Sequence, residues 1–312
     1  MAEPHTGSEG PPGIIDTIGL AFALLNRRPY LIWIPVLVDL VVWAGLRMPL
    51  TGRVEIDSVP GGTEGSLIVE RLSNIDFVSS VTWPIPNLLG QGPFADAPSP
   101  VSLQSVEIGE TAGVLLAFVA FAVSIVLLAG WVAMIARLVD GSPASDLSWI
   151  WASPMAAFRL FLVVGAVIAV IGFLAIPFMF AAGGLHLMSV NPLGLLSLSL
   201  LLLTGWLGLF FLFSLPAIVV SNASVTGALR ASYQLVLNHF LAVVALLAIA
   251  TLVRVATPHA LSVFAESQWS VPFAVIVNAY IVTGLLAAIL LFYQKRSSYT
   301  QSSSAVSPAA TG

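Results

Sequence analysis

The sequence predicts an all-α integral membrane protein, a bundle of about six transmembrane helices with short interfacial amphipathic helices and one long outward loop. Two observations lead to this fold class. Hydrophobic residues make up 58% of the chain and charged residues only 8%, and the apolar residues are gathered into long runs. A run of roughly 20 apolar residues spans the hydrocarbon core as a helix, because lipid offers the backbone no hydrogen-bond partners.

The predicted spans follow one another from residue 30 to residue 293. The first is short and contains Pro35 and Asp39. The fourth is too long for one untilted crossing, and Pro216 should kink or end it because proline removes a backbone donor. The spans cover residues 30–46, 113–136, 160–182, 193–220, 240–256 and 271–293.

The membrane domain is predicted to cover residues 14–296. Residues 1–13 and 297–312 are poor in large apolar residues, and we expect two disordered tails. Residues 48–111 form the one outward loop, of about 60 residues, which without cysteine can barely support a core of its own. Apolar residues recur at helical spacing over 68–78 and predict a helix on the outer surface, with an irregular loop as the alternative.

The positions of the basic residues predict the orientation. With the N-terminus inside, seven of the 11 Lys and Arg residues fall on the cytoplasmic side, as the positive-inside rule requires. We therefore expect both termini in the cytoplasm. The seven are Arg27, Arg28, Arg137, Arg159, Arg230, Lys295 and Arg296, and the others are Arg47, Arg53, Arg71 and Arg254.

Amphipathic segments precede the first and fifth spans. An amphipathic helix with Arg at its rim suits the cytoplasmic interface, so we interpret each as an interfacial helix that leads into a span; a chance likeness of basic span edges is the alternative. Asn222 or Ser224 is expected to cap the second segment. A related arrangement at residues 157–162 enters the third span. The shared apolar faces comprise Ile14, Ile18, Phe22 and Leu25 in the first segment, and Val225, Leu229, Ser232 and Val236 in the second.

Aromatic residues near the predicted span ends suggest an interfacial belt. They are Trp33, Trp43, Trp131, Trp269 and Tyr293.

The sequence contains no recognisable catalytic, cofactor or metal site. There is no cysteine and no P-loop, metalloprotease or hydrolase motif, and the four histidines are scattered over a tail and span ends. We therefore expect no enzymatic activity, no cofactor and no metal. The chain also lacks the basic stripe of nucleic-acid binding proteins, so we expect no nucleic-acid partner. The expected partners are membrane lipids and another membrane protein.

Polar groups at membrane depth are the best pointers to function, because each is costly unless paired or hydrated. Asp39 lies in the first span and Arg254 in the fifth, and we predict that they form an intramembrane pair. The alternatives are hydration of Asp39 at the outer rim, with Arg254 extending outward, or a role of Asp39 in transport. Asn278 adds a polar residue to the sixth span.

Residues 220–240 read VSNASVTGALRASYQLVLNHF, a short helix that follows a proline-ended span and leads into the next one. This pattern resembles the membrane domain that precedes some glycerophosphodiester phosphodiesterases, and also stand-alone, uncharacterised bacterial membrane proteins. The segment from Arg28 to Asp39 is similar to the start of some of the latter. The resemblance implies a polytopic membrane fold and a location in the plasma membrane of a prokaryote. It does not imply the activity, because none of these 312 residues is predicted to form a soluble phosphodiesterase domain.

Three functions therefore stay open. The first is a non-enzymatic plasma-membrane protein that scaffolds, assembles or regulates a partner, or organises lipid. The second is a small transporter or permease, which Asp39 and the proline-interrupted spans suggest. The third, an intramembrane enzyme acting on lipid, is the least supported because no cluster of Asp, His or Lys lies at membrane depth.

Overall fold

The computed structural model describes residues 12–43, 88, 94, 110–141, 148–187, 193–264 and 269–306. Within these residues the chain is helical and forms no strand, which confirms the all-α fold class. The predicted outward loop lies outside the described residues apart from Leu88, Phe94 and the start of a helix at Glu110. The predicted surface helix at 68–78 and residues 1–11 also lie outside them.

The described helices are α1 (Ile14–Arg27), α2 (Trp33–Trp43), α3 (Glu110–Val139), α4 (Ser148–Leu187), α5 (Leu193–Phe211), α6 (Ser214–Ser221), α7 (Val225–Asn238), α8 (Phe240–Leu261) and α9 (Val271–Val306). A short 3-10 helix, Pro29–Ile32, precedes α2, and another, Ser262–Phe264, follows α8.

Several described helices have the length and composition of membrane spans. Each predicted span overlaps one apolar helical stretch, and large apolar side chains are exposed on α3, α4 and α8, as lipid-facing surfaces would be. The arrangement with six crossings stays a prediction, because within the described residues only three stretches are long enough to cross a membrane. These three are Phe121–Val139, Phe240–Phe264 and Val271–Ser298, and the shorter ones are Pro29–Val41, Pro154–Val167 and Gly205–Ser221.

The chain divides into two compact units. The first comprises Met1–Ala23, Val132–Ala248 and Ala287–Gly312, and the second comprises Leu24–Trp131 and Ile249–Leu286. In the core of the first unit, the Phe213 ring stacks on Phe292 and Tyr293, with centroids 5.7 and 6.5 Å away. The core of the second unit consists of Val36, Leu88, Phe94, Leu261, Val271, Ala274, Val275 and Ala279.

Proline determines how the chain enters α2. α1 ends at Arg27, because Arg28 precedes Pro29 and the residue before a proline is disfavoured in the α conformation. Inside α2, Pro35 has no N–H to donate to the carbonyl of Leu31, four residues earlier. The indole Nε1 of Trp131 donates to that carbonyl at 3.0 Å.

The aromatic belt predicted at the span ends is only partly present. Trp33 and Trp269 are exposed, but Trp131 and Tyr293 are buried. Trp131 is buried because its indole N–H satisfies the Leu31 carbonyl, and the Tyr293 hydroxyl lies 3.3 Å from Ser221 Oγ.

The fourth predicted span is broken into α5 and α6. Pro216 cannot continue an unbroken helix, and the chain turns at Leu212 and Phe213. The hydroxyl of Ser214 donates to the carbonyl of Phe211 at 2.5 Å, and the fully buried hydroxyl of Ser232, on α7, donates to the carbonyl of Phe210. The break therefore has its own polar partners, as an apolar environment requires.

A tight elbow joins α6 to α7. Asn222 adopts a left-handed conformation with φ 50°, and the Ala223 N–H donates to the Ala217 carbonyl at 3.2 Å, which closes α6. Ser224 is the N-cap of α7, because its side chain accepts from the Gly227 N–H, as one of the two sequence alternatives predicted. Arg159 Nη1, on α4, donates to Asn222 O at 2.9 Å, to Asn222 Oδ1 at 2.6 Å and to Ala223 O at 3.2 Å.

The amphipathic helices α1 and α7 are both present, and their buried faces are slightly rotated from the predicted ones. On α7, Ser232 and Val236 are buried as expected, and Ala228 and Leu235 join them. On α1, Leu25 is buried as expected, but Thr17 and Ala21 are buried more deeply than Ile14, Ile18 and Phe22. The related segment at 157–162 is not a separate helix, because α4 runs through it without a break.

The last helix is longer than the sequence indicated. α9 continues to Val306, into the segment 297–312 that was expected to be a disordered tail. Extending an existing helix is far easier than nucleating a new one. In addition, the hydroxyls of Ser297 and Ser298 both donate to the carbonyl of Gln294, at 3.0 and 2.8 Å.

The elbow makes the conformation of Asn222 testable. Asn222→Ala places an ordinary side chain in the left-handed region, at about 1–2 kcal/mol, and also removes the Oδ1 acceptor of Arg159. Asn222→Gly removes only the acceptor, because glycine adopts positive φ freely. We expect Asn222→Ala to lower the thermal unfolding midpoint in detergent more than Asn222→Gly does. Equal losses would show that the left-handed turn contributes nothing.

Candidate functional site

Asp39 is held inside the second unit by a distant backbone group. It lies on α2, is 0% exposed, and its Oδ1 accepts a hydrogen bond from the Leu88 N–H at 2.8 Å. Leu88 and Phe94 are themselves buried in the core of this unit, which also contains Val36, one turn before Asp39. Because a buried carboxylate requires donors, Asp39 fastens part of the predicted outward loop to α2.

Arg254 lies on α8 in the same unit with an exposed side chain, and among the described residues it makes no hydrogen bond or ion pair. Among the described residues, the recorded partner of Asp39 is the Leu88 N–H and no contact joins Asp39 to Arg254, so their pairing stays a prediction.

Asn278 is another polar residue buried in this unit. It is 4% exposed, and its Nδ2 has no hydrogen-bond partner within the part of the chain that the structure describes. Ala274 and Val275, one turn earlier on α9, are members of the same apolar core as Leu88. An unsatisfied buried amide costs roughly 1–3 kcal/mol, so packing alone does not account for an asparagine at this position.

A second polar arrangement lies at the junction of α7 and α8 in the first unit. The His239 N–H donates to Leu235 O at 3.0 Å and ends α7, and the His239 carbonyl accepts from the Val243 N–H at 2.9 Å and begins α8. The His239 Nδ1 lies 3.0 Å from Arg296 Nη1. The Arg296 guanidinium lies 4.4 Å from the centroid of the Phe292 ring, which fixes its plane.

The protonation of His239 follows from these surroundings. Burial, and to a smaller extent the charge of Arg296, lower the pKa of His239 below its ordinary value of 6.5. The ring is therefore neutral at pH 7. In this form Nδ1 accepts from Arg296, and Nε2 carries the proton as a second donor.

Aromatic side chains extend from this junction in one connected row. Phe240 lies 6.3 Å from Trp206, Trp206 lies 5.3 Å from Phe210, and Phe210 lies 5.4 Å from Tyr233, between ring centroids. Trp206 is 56% exposed and Tyr233 is 52% exposed. We call these four residues the aromatic row. The sequence pattern alone does not reveal this row, and its one local signal is that Trp206 and Phe210 stand one helical turn apart.

Comparisons with known proteins add no assignment. No protein-family model, no curated protein and no solved structure matches the chain. Within the described ranges, no three His, Asp or Glu side chains come close enough together to hold a metal ion.

The role of Asp39 can be measured through the burial of Phe94. The chain contains no native cysteine, so Phe94→Cys provides a single reporter thiol. Asp39→Leu leaves the buried Leu88 N–H without its acceptor, at roughly 1–3 kcal/mol. We therefore expect the reporter to react several times faster with a maleimide in the Asp39→Leu background. Asp39→Asn is the matched control, because its amide oxygen still accepts, and it should leave the thiol protected. An unchanged rate in Asp39→Leu would contradict the role of Asp39 as a fastening.

Proposed function

We propose that this protein is a non-enzymatic, multi-pass plasma-membrane protein that scaffolds, assembles or regulates a partner membrane protein, or organises lipid at the membrane interface. It has six spans, both termini in the cytoplasm and the loop 48–111 outside, in a prokaryotic cell. The apolar helices at each predicted span position support the six crossings, and the distribution of Lys and Arg supports the orientation.

The observation that carries this proposal is the docked helix α7. One face, with Ala228, Ser232 and Val236, is buried in the first unit. The opposite face exposes Tyr233 and Leu237 beside Arg230. A helix with this composition suits the membrane interface, and the Arg159 contacts to the elbow hold it in place, so α7 offers a fixed surface to a lipid or to a partner protein.

A small transporter or permease is the second candidate. The burial of Asp39 and Asn278 in the second unit favours it, because buried polar groups in spans frequently mark pathways. The hydrogen bond from Leu88 to Asp39 supplies a structural reason for the carboxylate instead. Movement of a solute or proton by purified protein in liposomes, with loss of that movement in Asp39→Asn, would decide for transport.

The other interpretations contribute less. The resemblance of residues 220–240 to a membrane domain of some glycerophosphodiester phosphodiesterases supports fold and location, and not activity. An intramembrane enzyme acting on lipid is the least supported of the three functions.

The orientation can be checked with single cysteines in intact cells. Cysteines at Ser73, Ser189 and Ser267 should react with a membrane-impermeant thiol reagent, because we place them outside. Cysteines at Ser145 and Ser303 should react only after the membrane is permeabilised, because we place them in the cytoplasm. The unsubstituted chain, which has no cysteine, is the blank. Labelling of Ser145 from outside would contradict the six-span arrangement.

The contact role of α7 can be checked by photo-crosslinking in native membranes. A benzophenone amino acid at Tyr233 or Leu237 should form adducts with lipid or with one protein of discrete mass, because these side chains are exposed. The same probe at the buried Ala228 is the control and should react only within the chain. If the exposed positions give no more adduct than Ala228, the proposed contact surface is wrong.

A further inference from the structure

We infer that the aromatic row, together with His239 and Arg296 at its end, is a binding site for one acidic phospholipid. The inference specifies the lipid-organising part of the proposed function and rests on it. It is carried by charge complementarity between a fixed cationic group and a lipid phosphate, next to exposed apolar side chains that fit an acyl chain.

Two of the contacts that Arg296 makes orient its guanidinium. The guanidinium lies over the ring face of Phe292, and Arg296 Nη1 donates a hydrogen bond to Nδ1 of the neutral His239 ring. A guanidinium has five N–H donors in a rigid plane, and one fixed in advance loses little entropy when it binds a phosphate. The Nε2–H of His239 adds a neutral donor beside it.

The surrounding charges favour an anion. Lys295 and Arg230, both exposed, add positive charge on α9 and α7. Asp140 is the described acidic side chain that contacts this end of α9, and Gln294 donates to it. Gln294 is two residues from Arg296, about 200° around the helix, so its contact with Asp140 lies on the opposite face of α9.

The apolar half of the site lies next to the cationic half along the chain. Phe240 directly follows His239, and its ring contacts Trp206, which begins the rest of the row. Leu241, the next residue, is 81% exposed. Tryptophan and tyrosine prefer the level of the lipid headgroups. The phosphate of an acidic phospholipid fits the cationic half of the site, and its acyl chains fit the apolar half. A free phosphate fits the cationic half alone.

The chain offers a matched control in Arg254. This arginine is exposed on an apolar helix, and among the described residues it has no hydrogen bond and no aromatic contact. If general attraction between arginine and acidic lipid accounts for binding, Arg254 and Arg296 should contribute equally. If the proposed site accounts for binding, substitution of Arg296 should weaken lipid binding and substitution of Arg254 should not.

The experiment is a lipid titration of the purified full-length chain in a mild neutral detergent. Phosphatidylglycerol, phosphatidylcholine and glycerol phosphate are added separately, and the thermal unfolding midpoint is followed. Lipid retention on the intact protein is measured in parallel by native mass spectrometry. The variants are Arg296→Gln, Arg296→Lys and Arg254→Gln, with Trp206→Ala for the apolar half.

For the wild-type chain we expect stabilisation by phosphatidylglycerol, and little or none by phosphatidylcholine or by glycerol phosphate. Arg296→Gln should weaken phosphatidylglycerol binding roughly tenfold, the effect of one lost charge-assisted hydrogen bond. Arg296→Lys should keep an intermediate affinity, because the charge remains without the planar fork. Arg254→Gln should bind like the wild type.

Other results would overturn the site. Equal responses to phosphatidylglycerol and phosphatidylcholine would remove the charge argument, and a full response to glycerol phosphate would indicate an anion site without a lipid. Equal losses in Arg254→Gln and Arg296→Gln would indicate unspecific attraction. If Arg296→Gln is too unstable for melting curves, retention by Arg296→Lys and Trp206→Ala still decides, because unchanged retention in both contradicts the site. The crosslinking test at Leu237 uses a residue outside this site, so the site and the proposed function fail separately.

Discussion

The structure depends on one constraint: a backbone carbonyl freed inside apolar surroundings needs a donor from elsewhere in the chain. The prolines of this sequence free such carbonyls, and distant side chains supply the donors. The Trp131 indole N–H donates to the Leu31 carbonyl, to which Pro35 cannot donate. The Ser232 hydroxyl donates to the Phe210 carbonyl, close to the helix break before Pro216. Arg159 does the same for the elbow between α6 and α7. These hydrogen bonds are directional, so they determine the positions of the short apolar helices, which non-directional hydrophobic contacts alone would not.

The same constraint gives polar residues in the spans a structural role. At Asp39 the roles of side chain and backbone are exchanged, because the side-chain carboxylate accepts a hydrogen bond from a backbone N–H of a distant segment. Polar side chains in membrane proteins are often taken as signs of transport. In this chain most of the polar groups that the structure describes at depth have a backbone partner, and Asn278 is the exception that packing does not explain.

Much of the fold could be predicted from the sequence, because apolar runs and prolines act locally. The helix class, the apolar helical stretches that overlap the predicted spans, the break before Pro216 and the cap at Ser224 all follow from such signals. The partners could not be predicted, because a backbone N–H such as that of Leu88 has no signature in the sequence. For this reason Asp39 was matched with Arg254, the available opposite charge. The aromatic row was missed for a related reason, since its members lie on three helices that only folding brings together.

His239 carries a consequence for how this sequence can change. A single residue ends α7 and begins α8, so no loop is present that can absorb a change in length. One residue inserted between the helices would turn every side chain of α8 by about 100° relative to α7. Substitutions along α8 are tolerable as long as they stay apolar, but insertions and deletions at this junction are not. Natural variation in the region should therefore alter residue identity and preserve spacing.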